Sequence, residues 1–78
     1  MNTRVYQAVL SGQSDHNIKF ADFISLMEGL GFKKIRQNGS HILFHHPMGC
    51  MMNIQKDGSK AKGYQVAQLR KLIKEYGL

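Results

Sequence analysis

Two helical apolar stripes bracketing a run of strand-like residues limit this chain more than any other feature. Phe20, Phe23, Ile24, Met27 and Leu30 recur at i, i+3, i+4, i+7, the spacing of one buried helix face. Val66, Leu69, Leu72, Ile73 and Tyr76 repeat the pattern near the C-terminal end. Gly29 and Gly31 close the first stripe and Gly77 the second, where a helix end favours glycine. Between the stripes the period falls to two. Phe32 to Asn38, His41 to His46 and Cys50 to Gln55 read as three strands. Asn38-Gly39 predicts a type I′ hairpin turn, whose two central residues both need positive φ. Pro47-Met48-Gly49 supplies the second turn, and Lys56 to Gly63 reads as a polar, basic loop.

Such a chain folds as an α+β sandwich of two layers, α-β-β-β-α, with both helices on one face of an antiparallel meander. Alternation puts Ile42, Phe44 and His46 on one face of the second strand and His41, Leu43 and His45 on the other. The face away from the helices then meets solvent or a ligand. A short helix precedes this core. Val5, Ala8 and Val9 have helical spacing, Asn2 or Thr3 can cap it, and Gly12 suits its end. The expected organisation is one domain over residues 1–78, with helix and linker in 1–16 and the core in 17–78.

Size excludes much. A chain of 78 residues buries only about 60% of the surface its unfolded form exposes, which leaves no room for a Rossmann sheet, a barrel or an enclosed cofactor pocket. One cysteine, Cys50, cannot make an intrachain disulfide, so a reducing, cytoplasmic setting is expected. No purely apolar run reaches signal-peptide or membrane-spanning length. Lys and Arg number 11 against 5 Asp and Glu, a net charge of +6. That field favours polyanions, nucleic acid first and an acidic protein second, although charge alone assigns no function.

His41 is the residue with most chemical interest. It opens the second strand directly after the tight turn, with Lys33, Lys34 and Arg36 close by on the paired strand. A histidine can move a proton at neutral pH. RNA carries its own nucleophile, the 2′-hydroxyl beside each phosphate, so a protein need only move protons and stabilise charge on the phosphorane. The same spacing also fits an ordinary exposed strand residue. His41, His45, His46 and Cys50 invite a zinc reading too. Against it, His46 points the other way and no Cys-x-x-Cys pair is present. His45 and His46 otherwise read as turn-flanking polar residues or phosphate contacts. Met48, Met51 and Met52 read as core filler or an adaptable surface. Gly58-Ser59-Lys60-Ala61-Lys62-Gly63 places two lysines before a helix start, either a phosphate cradle or a solvated connector. It lacks the Gly-Lys-Ser/Thr ending of a Walker loop.

The stretch Leu30-Gly31-Phe32-Lys33-Lys34-Ile35-Arg36-Gln37-Asn38-Gly39-Ser40-His41 resembles the signature of HicA toxins, the ribonuclease half of HicA–HicB toxin–antitoxin pairs. Asn53 to Lys62, Tyr64-Gln65-Val66 and Glu75-Tyr76-Gly77-Leu78 are similar to the longer variety of that family, so the likeness covers about residues 17–78. The resemblance implies a fold like that of double-stranded RNA-binding domains. It also implies metal-independent cleavage of mRNA with His41 essential, no cofactor, and a HicB-type antitoxin as neutralising partner. Two departures stand out. Many members carry a second histidine where this chain has Ile42, and many carry proline where Gly63 stands. The first faces the core and should spare catalysis; the second should loosen the entry to the last helix.

The expected function is therefore an endoribonuclease toxin, with His41 transferring the proton. Lys34, Arg36, Lys60 and Lys62 would hold phosphates, and Ser40 would add a hydrogen bond. The alternative is a non-catalytic RNA-binding module on the same framework, reading phosphates and 2′-hydroxyls. A third class is a protein-interaction subunit whose basic face meets an acidic partner.

Overall fold

A computed structural model describes residues 3–78. In chain order it contains α1 (Thr3–Ser11), α2 (Phe20–Gly29), β1 (Lys33–Asn38), β2 (His41–His45), β3 (Met51–Ile54), β4 (Lys56–Asp57), β5 (Lys60–Ala61) and α3 (Gly63–Tyr76). Strands β1, β2 and β3 form an antiparallel sheet in that order, and β4 pairs with β5. The fold is α+β, as the pattern of periods requires. Asn2, one of the two residues able to cap α1, lies outside the described residues.

The core lies between one sheet face and the helices. Phe23, Leu26 and Met27 of α2 and Val66, Leu69 and Ile73 of α3 bury against Ile42, Phe44, Met52 and Ile54 of the sheet. Alternation along β2 and β3 gives this directly: even-numbered residues are buried, odd-numbered ones half-buried or exposed. Cys50 is buried on the same side, and desolvation pushes its thiol pKa up. Since the folded thiol holds its proton more tightly than the unfolded one, this group's contribution to stability is complete below the ordinary thiol range, about pH 8.5, and is lost as pH rises through the folded value. Alkylation of Cys50 at pH 8 should accordingly be slow in the native protein and fast in urea; equal rates would contradict its burial.

Helix α1 and the linker after it are built into this core. Val5 and Val9 are buried, and the Tyr6 hydroxyl donates to the Leu78 carbonyl at 3.0 Å. Arg70 of α3 makes a forked pair with Asp15, at 2.9 and 3.1 Å, and donates to the Val9 carbonyl at 3.0 Å. The guanidinium thereby closes the C-terminal end of α1 and anchors the linker together. The hydrogen bond to Asp15 raises the Arg70 pKa further, so the guanidinium stays charged. Arg70→Ala should lower stability by about 2 kcal/mol, the usual worth of charge-assisted bonds that are partly desolvated. A urea midpoint that falls with unchanged slope would show it.

Two of the expected turns and loops differ in the structure. The tight hairpin does not centre on Asn38-Gly39. Asn38 pairs with His41, so Gly39 and Ser40 are the loop. Gly39 has φ +63 and, among the described residues, none other than glycine has positive φ, which suits a two-residue loop with glycine first rather than the type I′ turn. Residues 56–61 are also not a plain loop. Lys56 pairs with Ala61 and Asp57 with Lys60 around a turn containing Gly58. Ala61 is buried, and its N–H donates to the Ile18 carbonyl at 2.9 Å, stitching the small hairpin to the linker.

Entry into α3 is firm, not loose. The N–H groups of Gln65 and Val66 both donate to the Lys62 carbonyl. A β-carbon at position 63 would collide with the ring of His16. Glycine stands where the resemblance anticipates proline because the N-terminal linker lays an imidazole over that spot.

No helix among the described residues is long and apolar enough to cross a membrane.

Candidate active site

The open sheet face is organised by register. Residues opposite one another on antiparallel strands share a face. His41 faces Asn38, Leu43 stands between Arg36 and Asn53, and His45 stands between Lys33 and Met51. Simple alternation along β1 would not put Lys33 and Arg36 together, because they are an odd number apart. A β-bulge between Lys34 and Arg36 inserts Ile35 and resets the alternation. The bulge therefore turns Arg36 toward His41, the re-aiming that such irregularities produce. Ile35 is left 56% exposed.

Arg36, Asn38, His41, Leu43 and Asn53 line an open concavity of about 680 Å³. His41 is exposed, and Leu43 forms the half-buried apolar floor. Among the described residues, the side chains of Arg36, Asn38, His41 and Asn53 make no hydrogen bond within the protein. The concavity thus presents a cation, two carboxamides and an imidazole, all free to meet a ligand.

The other residues expected at the site fall into separate groups. Lys34 lies opposite Phe44, on the face turned away from His41, and its Nζ reaches Gln37 at 3.5 Å. Lys60 turns toward the linker and donates to Asn17 Oδ1 at 3.1 Å. Lys62 and Ser40 do come together, through Gln55. The Gln55 Oε1 accepts from Lys62 Nζ at 3.1 Å, and its Nε2 donates to Ser40 Oγ at 2.9 Å. Gln55 is itself held by its N–H, which donates to Oε1 of buried Gln65; the Gln65 Nε2 donates to the Asn53 carbonyl and the Tyr64 hydroxyl. One amide network thus joins the turn before His41, the end of β3 and the start of α3. Nothing in the sequence marks Asn38, Asn53 or Gln55 as site residues. A carboxamide carries no charge and fits no spacing rule, so only the register reveals them.

The four-residue zinc set is split by the fold. His41 and His45 lie on the open face, whereas Cys50 and His46 are buried on the other side. No group of three His, Cys, Asp or Glu residues able to hold a metal occurs among the described residues. His46 is not a phosphate contact either. Its Nε2 lies 2.8 Å from the Leu30 carbonyl, and its Nδ1 accepts from the Met48 N–H at 3.1 Å. Those partners place the hydrogen on Nε2 and leave Nδ1 bare. The ring also meets Phe32 edge-on at 5.0 Å. Met52 is buried as core filler, while Met48 and Met51 are exposed.

Fold and site together define a small basic α+β domain with a solvent-facing histidine and arginine on an uncovered sheet. The family model for the HicA toxin of bacterial toxin–antitoxin systems matches residues 20–78, and the chain belongs to that family. The match begins at the first residue of α2, so α1 and its linker lie outside it. No curated protein and no solved structure matches the chain significantly.

Proposed function

We propose that this toxin is an endoribonuclease that cleaves mRNA, with His41 as the proton-transfer residue. The observation that carries the reading is the placement of His41: exposed, free of internal hydrogen bonds, and in one concavity with Arg36. The substrate's 2′-oxygen attacks the adjacent phosphorus as the P–O5′ bond breaks, giving a 2′,3′-cyclic phosphate and a 5′-hydroxyl. One proton leaves the 2′-hydroxyl and one is delivered to the 5′-oxygen. His41 handles one of these transfers, and Arg36 offsets charge on the phosphoryl oxygens. Lys62, steadied by Gln55, and Ser40 at the rim hold flanking phosphate. Lys34 and Lys60 face elsewhere and contribute to the general positive field. A HicB-type antitoxin is the neutralising partner in this reading.

Incubating the purified protein with single-stranded RNA in excess chelator tests the proposal. Cleavage supports the enzyme. Retention of intact RNA, weakening steeply with salt, would instead make the chain a binding module.

A further inference from the structure

The three-stranded sheet has two edges, and the fold treats them differently. The β3 edge is closed by the start of α3: Gln65 Nε2 donates to the Asn53 carbonyl, and the Gln55 N–H donates to Gln65 Oε1. The β1 edge is open. All six residues of Lys33–Asn38 are exposed, and among the described residues their backbone groups find partners only on β2. Near the turn the outward groups have a name. A two-residue loop makes Asn38–His41 the hydrogen-bonded closing pair, so the next residue, Gln37, turns its N–H and carbonyl outward. The Gln37 side chain folds back to the Gly39 carbonyl at 3.2 Å and does not cover them. Such an edge is a template for another strand.

Charge selects the strand. Lys33, Lys34 and Arg36 make three of the six residues cations, and among the described residues no carboxylate pairs with them. Cations facing cations repel a second copy, which is how lysines guard natural edges. An acidic strand meets attraction at the same place. RNA meets the cations too, but it has no amide donors and acceptors at strand spacing. We infer that the β1 edge is a docking strand for an acidic, extended segment of a partner protein, which adds as a fourth strand. Its residue opposite Arg36 shares the open face. A carboxylate there takes the guanidinium that otherwise lines the His41 concavity, so docking and phosphate binding compete for one side chain. The inference rests on the nuclease reading only for the effect of that competition on cleavage.

The probe is a blocked peptide of alternating Glu and Thr, about eight residues long so as to span the six of β1. Its binding to the full chain is measured beside a Lys-Thr counterpart and two copies, one N-methylated at every Glu and one at every Thr. In a strand only one of those rows of N–H groups faces β1. The acidic peptide should bind and the Lys-Thr peptide should not. One methylated copy should lose about tenfold or more in affinity, the scale of several ladder bonds, while the other stays within about threefold. Gln37→Pro removes the outward donor at an edge position where proline is tolerated. It should weaken binding by about threefold to tenfold at an unchanged thermal midpoint, and the methylated peptides test the wild-type chain whatever that variant does. No binding of the acidic peptide, or equal binding of the two methylated copies, overturns the docking strand. So does single-stranded RNA that slows exchange of the Gln37 N–H as the peptide does, or self-association abolished by Gln37→Pro. A chain that binds the peptide as expected but cuts no RNA overturns the nuclease reading and leaves the docking strand standing.

Discussion

Replacing His41 with alanine is expected to lower RNA cleavage by a factor of about 10² to 10⁴, the range attributed to a single positioned acid or base, and to remove toxicity in growing cells. The fold should be untouched. His41 is exposed, makes no internal hydrogen bond, and opens β2 on the face away from the core. Its loss therefore creates no cavity and orphans no polar group, and the thermal midpoint should move by less than about 2 °C, in line with a surface substitution. Arg36→Ala should fall between the two proteins. It removes charge stabilisation but leaves the proton carrier, so cleavage drops while its pH dependence keeps its shape. A His41→Ala protein that cleaves at the wild-type rate would remove the residue from the mechanism.

The opposite outcome is expected at His46, five residues along the same chain. His46→Ala should destabilise the protein by about 3 kcal/mol. It empties a buried position against Phe32, and it strips the Leu30 carbonyl and the Met48 N–H of their partners. Both groups are part-buried, so leaving each unpaired costs toward the lower end of roughly 1–3 kcal/mol, and the lost contacts of the buried ring add to that. On a small domain this is a large share of the total. Urea unfolding reads the loss directly, and RNA cleavage at low temperature, where the fold survives, should stay within a few-fold of wild type. Full stability after this change would mean that the 46–50 turn does not depend on the imidazole.

These two histidines mark how far the sequence could be read. The alternation that puts His41 outside and His46 inside was legible, because Ile42 and Phe44 fix the inner face of β2. The apolar stripes of α2 and α3 were legible for the same reason: buried residues impose a period. What alternation could not show was the bulge at Ile35. β1 is exposed along its whole length, so no buried residue records which way each side chain points. The sequence places Lys34 and Arg36 side by side as cations, and the bulge sends them to opposite faces. The Gly39-Ser40 loop was misplaced by one residue because Asn-Gly is the stronger turn signal, whereas strand pairing decides the register. The β4–β5 hairpin leaves no periodic trace in the sequence because its strands have two residues each. Nothing in a polar linker foretells the seat of His16 over Gly63.

The central claim is that His41 serves an attack by the substrate's own 2′-hydroxyl. Mapping the ends of a single cleaved oligoribonucleotide, beside a copy with one 2′-deoxy sugar at the cut, tests this most directly. The account predicts a 2′,3′-cyclic phosphate with a 5′-hydroxyl, and an uncut deoxy copy. A 5′-phosphate product, or cleavage of the deoxy copy at an undiminished rate, would contradict it.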